Sequence, residues 1–492
     1  MMDKHILDLS IEEIHEALVK GEVKPSDLVK EALKRAHESK DNAFEMILDD
    51  LALEKAEELD HVVVPKNNLF FAIPYVLKDN YSTKGIKTTA SSNILNDYIP
   101  LYDATIYSIL KESNAIMIAK ASMDELAMGG TGTTSHIGTT FNPFDKAHVR
   151  SIGGSSSGSA ASVASAVVPF AIGSDTGDSV RKPASYAGLV GYKPTWGLLS
   201  RFGLFSYAPS LDTVAYFTRD VVDARYLFNL LKKHDDKDAT SLDVNLKEDV
   251  EKKSAKNIKL LIFKDLDLNL KDEILLKSYH NLLNRLKEAG MDIVEVEFGH
   301  DLLSAIYPTY NVISFAEATS NNANLDGVKF GPRPEGNTYQ EVMMNARTVG
   351  FSNLIKRRFV IGSYVLYKEN QKTLFLRAKK VRRLIVQRLN ELLKDADGFI
   401  SLAAPNIAPK FADATDKLSD AYVINDNYLA IANFSGGPSI TLPIGLKEKM
   451  PFSINITAKA FDDLNLLNIA EVVESFSGMK GLSAKEVDKY VK

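Results

Sequence analysis

The architecture of this chain follows from residues 150–184, which read RSIGGSSSGSAASVASAVVPFAIGSDTGDSVRKPA. Two loops rich in glycine and serine, one around Ser155 and the other at Thr176–Ser179, flank an apolar, alanine-rich segment. Glycine-rich loops expose backbone N–H groups, and a hydroxyl beside such groups is what acyl transfer needs. A segment of this length predicts a helix-like return that brings both loops to one end of a sheet.

A third feature lies upstream, where FFAIPYVLKDN places Lys78 at the end of an apolar, strand-like run. Desolvation of a lysine that closes a buried strand favours its neutral form, which can act as a base. Taken singly, Lys78 would usually be solvated and Ser179 would usually cap a surface turn. Taken together, the three places predict a hydrolase or amidotransferase site without histidine, in which Ser155 passes a proton between Lys78 and Ser179.

The turn before Ser179 is predicted to supply an oxyanion hole from the N–H groups of Thr176, Gly177 and Asp178. A competing interpretation is the GxSxG pattern of Gly154–Gly158, which would make Ser156 the nucleophile of an α/β-hydrolase. That pattern needs a strong preceding strand, and KAHVRSI is a poor one. A flexible linker is disfavoured because apolar sequence flanks the serines directly.

Composition narrows the function classes. The 492 residues are 45% hydrophobic and carry a formal net charge of −5, so a large core is possible and no overall basic field invites nucleic acid. The absence of cysteine excludes disulfides and thiol nucleophiles. The nine histidines form no HExxH motif, and no metal site is expected. Without a signal-peptide pattern or a membrane-spanning run, a cytoplasmic protein is predicted.

Patterns along the chain predict an α/β core. Residues 1–60 read as helices with charged outer faces, and residues 70–142 alternate short apolar runs with turns. A charge run at about 232–256 predicts a solvated surface segment. Helices are expected at 271–289 and about 340–395, followed by a strand at ITLPIGL. No repeat or long linker is evident, so one domain spanning 1–492 is predicted.

Several motifs, in order along the chain, resemble the amidase signature family: PYVLKDN, GGSSSGSAA and GSDTGDSVRKPA. Others are similar to one branch of that family, the A subunits of glutamyl-tRNA(Gln) amidotransferases; these include MDELAMGGT, TFNPFD, KPTWGLLSRFGL, SLDT and NFSGGPSITLPIG. The resemblance covers nearly the whole chain. It implies an α/β fold with a large mixed sheet covered by helices on both faces.

The resemblance also implies a Ser–cis-Ser–Lys site. Ser179 would attack the side-chain amide of glutamine, Ser155 would relay the proton, and neutral Lys78 would be the final base. The family implies further that the ammonia passes to a B subunit, which uses ATP and Mg²⁺ to amidate Glu-tRNA(Gln), and that a small C subunit joins the two. No cofactor is expected in this chain.

Matching motifs imply three residues that hold the glutamine: Tyr310, Arg358 and Asp426. An arginine suits the α-carboxylate of the ligand and an aspartate suits its ammonium group. Arg357 would replace Arg358 if the alignment shifted by one residue. The alternative for these charged side chains is ordinary pairing on helix surfaces.

Asp178 departs from the family pattern, which has glycine before the nucleophile; Ser157, where glycine is also usual, is a milder change. A carboxylate about 4 Å from a developing oxyanion would oppose it by about 4 kcal/mol at an effective dielectric near 20. We therefore expect Asp178 to point away, onto Arg181 or Lys182. Three hypotheses follow: the chain is an active glutaminase subunit, or it is a free-standing amidase, or it is a non-catalytic scaffold whose oxyanion site Asp178 has spoiled.

Overall fold

The computed structural model describes residues 5–244, 246, 254–267, 271–412 and 427–490. Its strands are β1 (Phe44–Ile47), β2 (Pro74–Lys78), β3 (Ile116–Ala121), β4 (Phe170–Asp175), β5 (Val190–Lys193), β6 (Thr213–Thr218), β7 (Lys259–Phe263), β8 (Asp292–Val296), β9 (Gly398–Leu402), β10 (Ser439–Lys447) and β11 (Met450–Thr457). They form one eleven-stranded sheet in the order β1-β3-β2-β4-β6-β5-β10-β11-β9-β7-β8. Pairs on β2 and β7 are parallel and the others are antiparallel, so the predicted mixed sheet is confirmed.

Helices flank this sheet. They are α1 (Ile11–Lys20), α2 (Pro25–Glu38), α3 (Asp49–Leu59), α4 (Thr105–Glu112), α5 (Ser157–Ala164), α6 (Arg181–Tyr186), α7 (Val221–Leu231), α8 (Lys264–Asp267), α9 (Glu273–Glu288), α10 (His300–Ser304), α11 (Ile306–Asn321), α12 (Tyr339–Gly350), α13 (Asn353–Leu366), α14 (Lys368–Gln371), α15 (Phe375–Leu392), α16 (Ala430–Ser435) and α17 (Asp463–Ser477). Within the described ranges, none is long and apolar enough to cross a membrane.

The central strands β2 and β4 determine where a site can form. Every residue of both strands is buried, as expected of parallel strands that are covered on both faces. The two strands run parallel with Leu77 opposite Ile172, and the ring of Tyr75 stacks on that of Phe170 at 5.3 Å. Their carboxyl ends therefore lie at the same edge of the sheet, where the chain continues into Asp79 and Thr176.

Three regions refine the predicted pattern. The N-terminal segment is not helical throughout, because Phe44–Ile47 pairs with β3 as an edge strand. The helical region predicted at 340–395 is divided into α12, α13, α14 and α15. Of the described residues in the charged segment 232–256, only Ser241 is buried, which agrees with a surface position.

Candidate active site

Lys78 ends β2 with its amine inside the protein. Its Nζ lies 2.8 Å from Ser155 Oγ, 2.9 Å from Ser156 Oγ and 2.9 Å from Ser174 Oγ. Asn80 Nδ2 also donates to Ser174 Oγ, at 3.0 Å, and the side chain of Lys78 has no exposed surface. The peptide bond between Gly154 and Ser155 is cis. The fold thus gathers the predicted lysine and the first serine loop around one nitrogen.

The hydroxyl groups around Lys78 differ in their hydrogen bonds. Ser156 Oγ donates to the Ser174 carbonyl at 3.1 Å, so it meets Lys78 as an acceptor. Ser155 Oγ has Lys78 as its only hydrogen-bond partner in the described part of the chain. The Ser155 hydroxyl can therefore donate to the lone pair of a neutral Lys78 and accept a proton from a third group. This arrangement also leaves Ser156 poorly suited to be the nucleophile of the GxSxG interpretation.

The charge state of Lys78 follows from its surroundings. Burial lowers the pKa of Lys78 to about 7, and the carboxylates of Asp124, Asp175 and Asp212 oppose that decrease. Desolvation disfavours the charged form of a lysine, whereas nearby negative charges favour it. Near neutral pH a substantial fraction of the amine is thus unprotonated and able to accept a proton.

The second glycine-rich loop follows β4 and reaches the first loop. The backbone N–H of Ser156 donates to the carbonyl of Ser179 at 3.2 Å. The N–H groups of Gly177 and Ser179 have no hydrogen-bond acceptor among the residues described, although both residues are buried. An oxyanion bound at this turn would give both N–H groups an acceptor.

A buried ion pair holds the turn in shape. Arg181 donates through Nε and Nη2 to the two carboxylate oxygens of Asp175, at 3.1 and 2.9 Å, and through Nη2 to the Gly177 carbonyl at 2.8 Å. Burial alone would raise the pKa of Asp175, but Arg181, the Val180 N–H and Asn433 lower it to about 2. Arg181 therefore anchors the loop that carries Ser179 at two points, the Gly177 carbonyl and Asp175, which is the last residue of β4.

The first loop has an anchor of its own in Asp124. Its Oδ2 accepts the backbone N–H groups of Thr131 and Gly132, and its Oδ1 accepts those of Thr133 and Thr134, all at 3.0–3.1 Å. The N–H of Asp124 donates to the Ser155 carbonyl at 3.0 Å. A β-carbon on Gly154 would lie 2.0 Å from the Asp124 carboxylate, so only glycine fits there. Asp124 thereby ties the loop of Ser155 to its neighbours.

The remaining predicted residue of the turn, Thr176, is held from the side. Its hydroxyl donates to Asp212 at 2.7 Å, and Asp212 also accepts from the Ser206 hydroxyl at 2.6 Å. Asp212 precedes β6, the strand that pairs with β4. The side chain of Thr176 thus positions the turn, and its contribution to an oxyanion hole would come from its backbone.

Asp178 pairs with Lys182. Its carboxylate lies 2.7 Å from the amine of Lys182, one helical turn along, with 22% and 7% of the two side chains exposed. The N–H of Lys182 also donates to the Asp178 carbonyl at 2.9 Å. Of the two partners expected from the sequence, the structure selects Lys182.

Tyr310 and Arg358 come together beside this turn. Tyr310 lies on α11, and a β-carbon on Gly177 would approach its ring to 2.9 Å. Burial raises the pKa of Tyr310 well above its usual value, Tyr207 and Asp178 add to this, and Arg358 opposes it. The Arg358 guanidinium lies 5.2 Å from the ring of Phe315.

Arg357 is exposed on the same helix, α13. The residue that faces Tyr310 is therefore Arg358 and not Arg357. Asp426, the third predicted glutamine ligand, lies outside the described residues.

Four contributors to this site escaped sequence reasoning: Ser174, Asn80, Asp124 and Asp212. Each lies within a motif that resembles the family: in the same order, the motifs are GSDTGDS, KDN, MDELAMGGT and SLDT. Their chemistry gives no signal along the chain, because each acts by contacting a loop that is distant in sequence.

Comparison with known proteins places the chain in a family. The profile of the Amidase family matches residues 27–467, and the chain belongs to the amidase family. The A subunit of the glutamyl-tRNA(Gln) amidotransferase of Thermoanaerobacter pseudethanolicus is 36% identical over 483 residues, covering 95% of this chain and 96% of the relative. The protein of that name from Mycoplasma pneumoniae is 39% identical over 423 residues, covering 83% of this chain and 86% of the relative.

Solved structures of similar proteins have the same fold as this chain. The crystal structure of the glutamyl-tRNA(Gln) amidotransferase A subunit from Thermotoga maritima superposes with a TM-score of 0.77 at 32% identity, covering 96% of each chain. An allophanate hydrolase from Kluyveromyces lactis, 22% identical with a TM-score of 0.77 over 99% of this chain and 76% of its own, shares the fold. The resemblance derived from the motifs is confirmed, both for the family and for the branch.

Proposed function

We propose that this chain is the glutamine-hydrolysing subunit of a tRNA-dependent amidotransferase that converts Glu-tRNA(Gln) to Gln-tRNA(Gln). The main support is the buried amine of Lys78, whose pKa is about 7, at 2.8 Å from Ser155 Oγ and next to the loop that carries Ser179. Relatives named as the A subunit of that enzyme match the chain nearly end to end.

The reaction uses two proton transfers. Ser179 Oγ attacks the carbon of the glutamine side-chain amide while its proton passes through Ser155 to Lys78. The oxyanion that forms is stabilised by backbone N–H groups of the 176–179 turn: those predicted for Thr176, Gly177 and Asp178, and that of Ser179 itself. The proton returns through Ser155 to the nitrogen, the C–N bond breaks, and ammonia leaves.

The glutamyl ester on Ser179 is then cleaved by water along the same relay. Water attacks the ester carbonyl, its proton passes to Lys78, and the proton returns to Ser179 Oγ as glutamate leaves. The same base thus serves both halves of the reaction.

Substrate binding would use side chains from the helices α11 and α13. Arg358 would pair with the α-carboxylate, and Tyr310 would pack against the substrate near Gly177. Asp426 would hold the α-ammonium group, an assignment that rests on its motif alone. A free glutamine, with both charges, would then be preferred to an uncharged amide.

Ammonia would pass to a partner, the B subunit, which would activate Glu-tRNA(Gln) with ATP and Mg²⁺, and a C subunit would complete a cytoplasmic heterotrimer. This chain would need no cofactor or metal of its own and would contact tRNA only through the B subunit. Ammonia release should therefore be strongly stimulated by the assembled complex with ATP and Glu-tRNA(Gln).

The decisive test compares Ser179→Ala with Ser165→Ala in the assembled complex. Ser165, whose hydroxyl donates to the Ala161 carbonyl, is a matched serine of the same stretch outside the site. S179A should abolish formation of Gln-tRNA(Gln) from glutamine and spare its formation from ammonium salts, whereas S165A should spare both. Loss of both activities in assembled S179A would contradict the proposal.

Two other outcomes separate the alternatives. Brisk hydrolysis of simple amides by the isolated chain, unaffected by the partners, would indicate a free-standing amidase. Absence of ammonia release under every condition would indicate a non-catalytic scaffold.

A further inference from the structure

Asp178 places a negative charge next to the position where the oxyanion of the hydrolysis reaction would form. It immediately precedes the nucleophile, and its own N–H belongs to the turn that would receive the oxyanion. An unscreened carboxylate about 4 Å from that oxyanion would slow its formation by about three powers of ten at an effective dielectric near 20. An active enzyme with Asp178 at this position must neutralise that charge locally.

The charge of Asp178 reaches a residue that is proposed to bind the substrate. It acts electrostatically on the Tyr310 hydroxyl, and the Tyr310 ring contacts the same turn at Gly177. Arg358 also acts on that hydroxyl, from α13. Because Arg358 is the proposed partner of the substrate carboxylate, it would not be available to neutralise Asp178 during turnover.

Arg181, the adjacent cation, is already committed. Its guanidinium donates to Asp175, to the carbonyls of Gly177 and Leu429, and to the side chains of Ser439 and Asn433. These bonds use every nitrogen of the group, so Arg181 cannot turn toward Asp178 without releasing the turn.

Lys182 lies close enough to Asp178 to neutralise its carboxylate. Its amine lies 2.7 Å from the Asp178 carboxylate, and the pair is joined a second time through the Lys182 N–H and the Asp178 carbonyl at 2.9 Å. Lys182 is 6% exposed, so solvent screens the pair less than it would a surface pair. Helical spacing of four residues fixes this contact at the start of α6.

We propose that Lys182 is a positioning residue for glutamine hydrolysis, which holds the Asp178 carboxylate away from the oxyanion pocket and cancels its charge there. The inference rests on the proposed function. It makes Asp178 and Lys182 one unit, in which the charge of the lysine offsets that of the carboxylate beside the nucleophile.

The test is a set of charge variants assayed for glutamine hydrolysis in the assembled complex. Lys182→Gln should lower kcat by about thirtyfold, short of the unscreened limit because Asp178 is partly exposed, with KM changed less than about threefold. Asp178→Asn combined with Lys182→Gln should restore kcat to within about threefold of the parent, and Lys182→Arg should retain it. Arg225→Gln, which breaks the comparably buried pair Arg225–Glu471 between α7 and α17, helices that carry no residue of the site, should leave kcat unchanged.

A second readout separates failure of this inference from failure of the proposed function. A fluorophosphonate probe labels a serine through a similar anionic intermediate and needs no glutamine recognition. Its rate of attachment to Ser179 should fall in K182Q and recover in the double variant, even if the parent chain did not hydrolyse glutamine. Thermal unfolding followed by circular dichroism checks that each variant folds.

Two results would overturn the proposal. One is a K182Q variant that keeps the parental kcat and labelling rate. The other is a folded double variant as slow as K182Q, since that would show that Lys182 acts on the fold and not through Asp178.

Discussion

The pH dependence of glutamine hydrolysis provides the sharpest test of Lys78 as the base. Because burial lowers the pKa of Lys78 from 10.5 to about 7, about half of the amine is neutral at pH 7. A lysine with an ordinary pKa would be neutral to roughly 0.03% at that pH. The buried position thus increases the fraction of competent base at neutral pH by about a thousandfold.

The expected profile has a single acid limb. The rate constant kcat/KM, measured as ammonia released from glutamine by the complex between pH 5.5 and 9, should fall about tenfold per pH unit below about pH 6.5 and level off above about pH 8. Labelling of Ser179 by the fluorophosphonate probe should follow the same limb, because it depends on the same base and not on the partner subunits.

Two variants tie that limb to Lys78. Ser174 Oγ accepts a hydrogen bond from Lys78 at 2.9 Å, and such a bond is stronger with the charged amine. Ser174→Ala should therefore move the limb to lower pH by about 0.7, equivalent to about 1 kcal/mol.

Lys193 provides the matched control. It is a second fully buried lysine, its pKa is also lowered by burial to about 7, and its amine donates to the Pro194 and Gly437 carbonyls. Lys193→Met should leave the limb in place. A rate that climbs without a plateau up to pH 9, or a limb that moves in K193M and not in S174A, would refute the assignment.

Two further predictions concern stability and binding. The folded-state pKa of Lys78 lies below its unfolded value, so the penalty for burying the charged amine is fully present below pH 7 and is relieved as pH rises toward 10.5. Lys78→Met should therefore abolish hydrolysis yet raise the free energy of unfolding, by about 2–3 kcal/mol more at pH 6 than at pH 9 in urea titrations; an equal gain at both pH values would contradict this. Arg358→Lys should raise the KM for glutamine about tenfold by removing bidentate recognition, while the exposed neighbour tested as Arg357→Lys leaves KM unchanged. The reverse ranking in steady-state assays would show that the alignment is shifted by one.

Much of the site could be predicted from local pattern. A run of apolar residues ending in Lys78 specifies a buried strand with a desolvated amine, and glycine-rich turns specify where backbone N–H groups are exposed. These are short-range consequences of side-chain size and polarity, so they can be read along the chain. The strand ends they define carried Lys78 and Ser179 to the same edge of the sheet.

Other contacts had no local signal. The four-residue strand Phe44–Ile47 exists because β3 offers an edge with which to pair, although its surroundings are helical. Asp124 and Ser174 are ordinary polar residues until the fold sets them against the 131–134 amides and the Lys78 amine. Such roles depend on contacts that form only when the chain folds, between residues from 7 positions apart for Asp124 and Thr131 to 96 for Ser174 and Lys78.

The sequence by itself thus determined the class of fold, the positions of the two loops rich in glycine and serine, and the side-chain chemistry available at Lys78, Ser155 and Ser179. Only the tertiary structure decided that Asp178 pairs with Lys182 and that Arg358, not Arg357, faces Tyr310. The physical reason is that charge pairing and burial depend on distance in space. Rotation about a helix by one residue, about 100°, exchanges the half-buried Arg358 for the exposed Arg357 without changing composition or pattern.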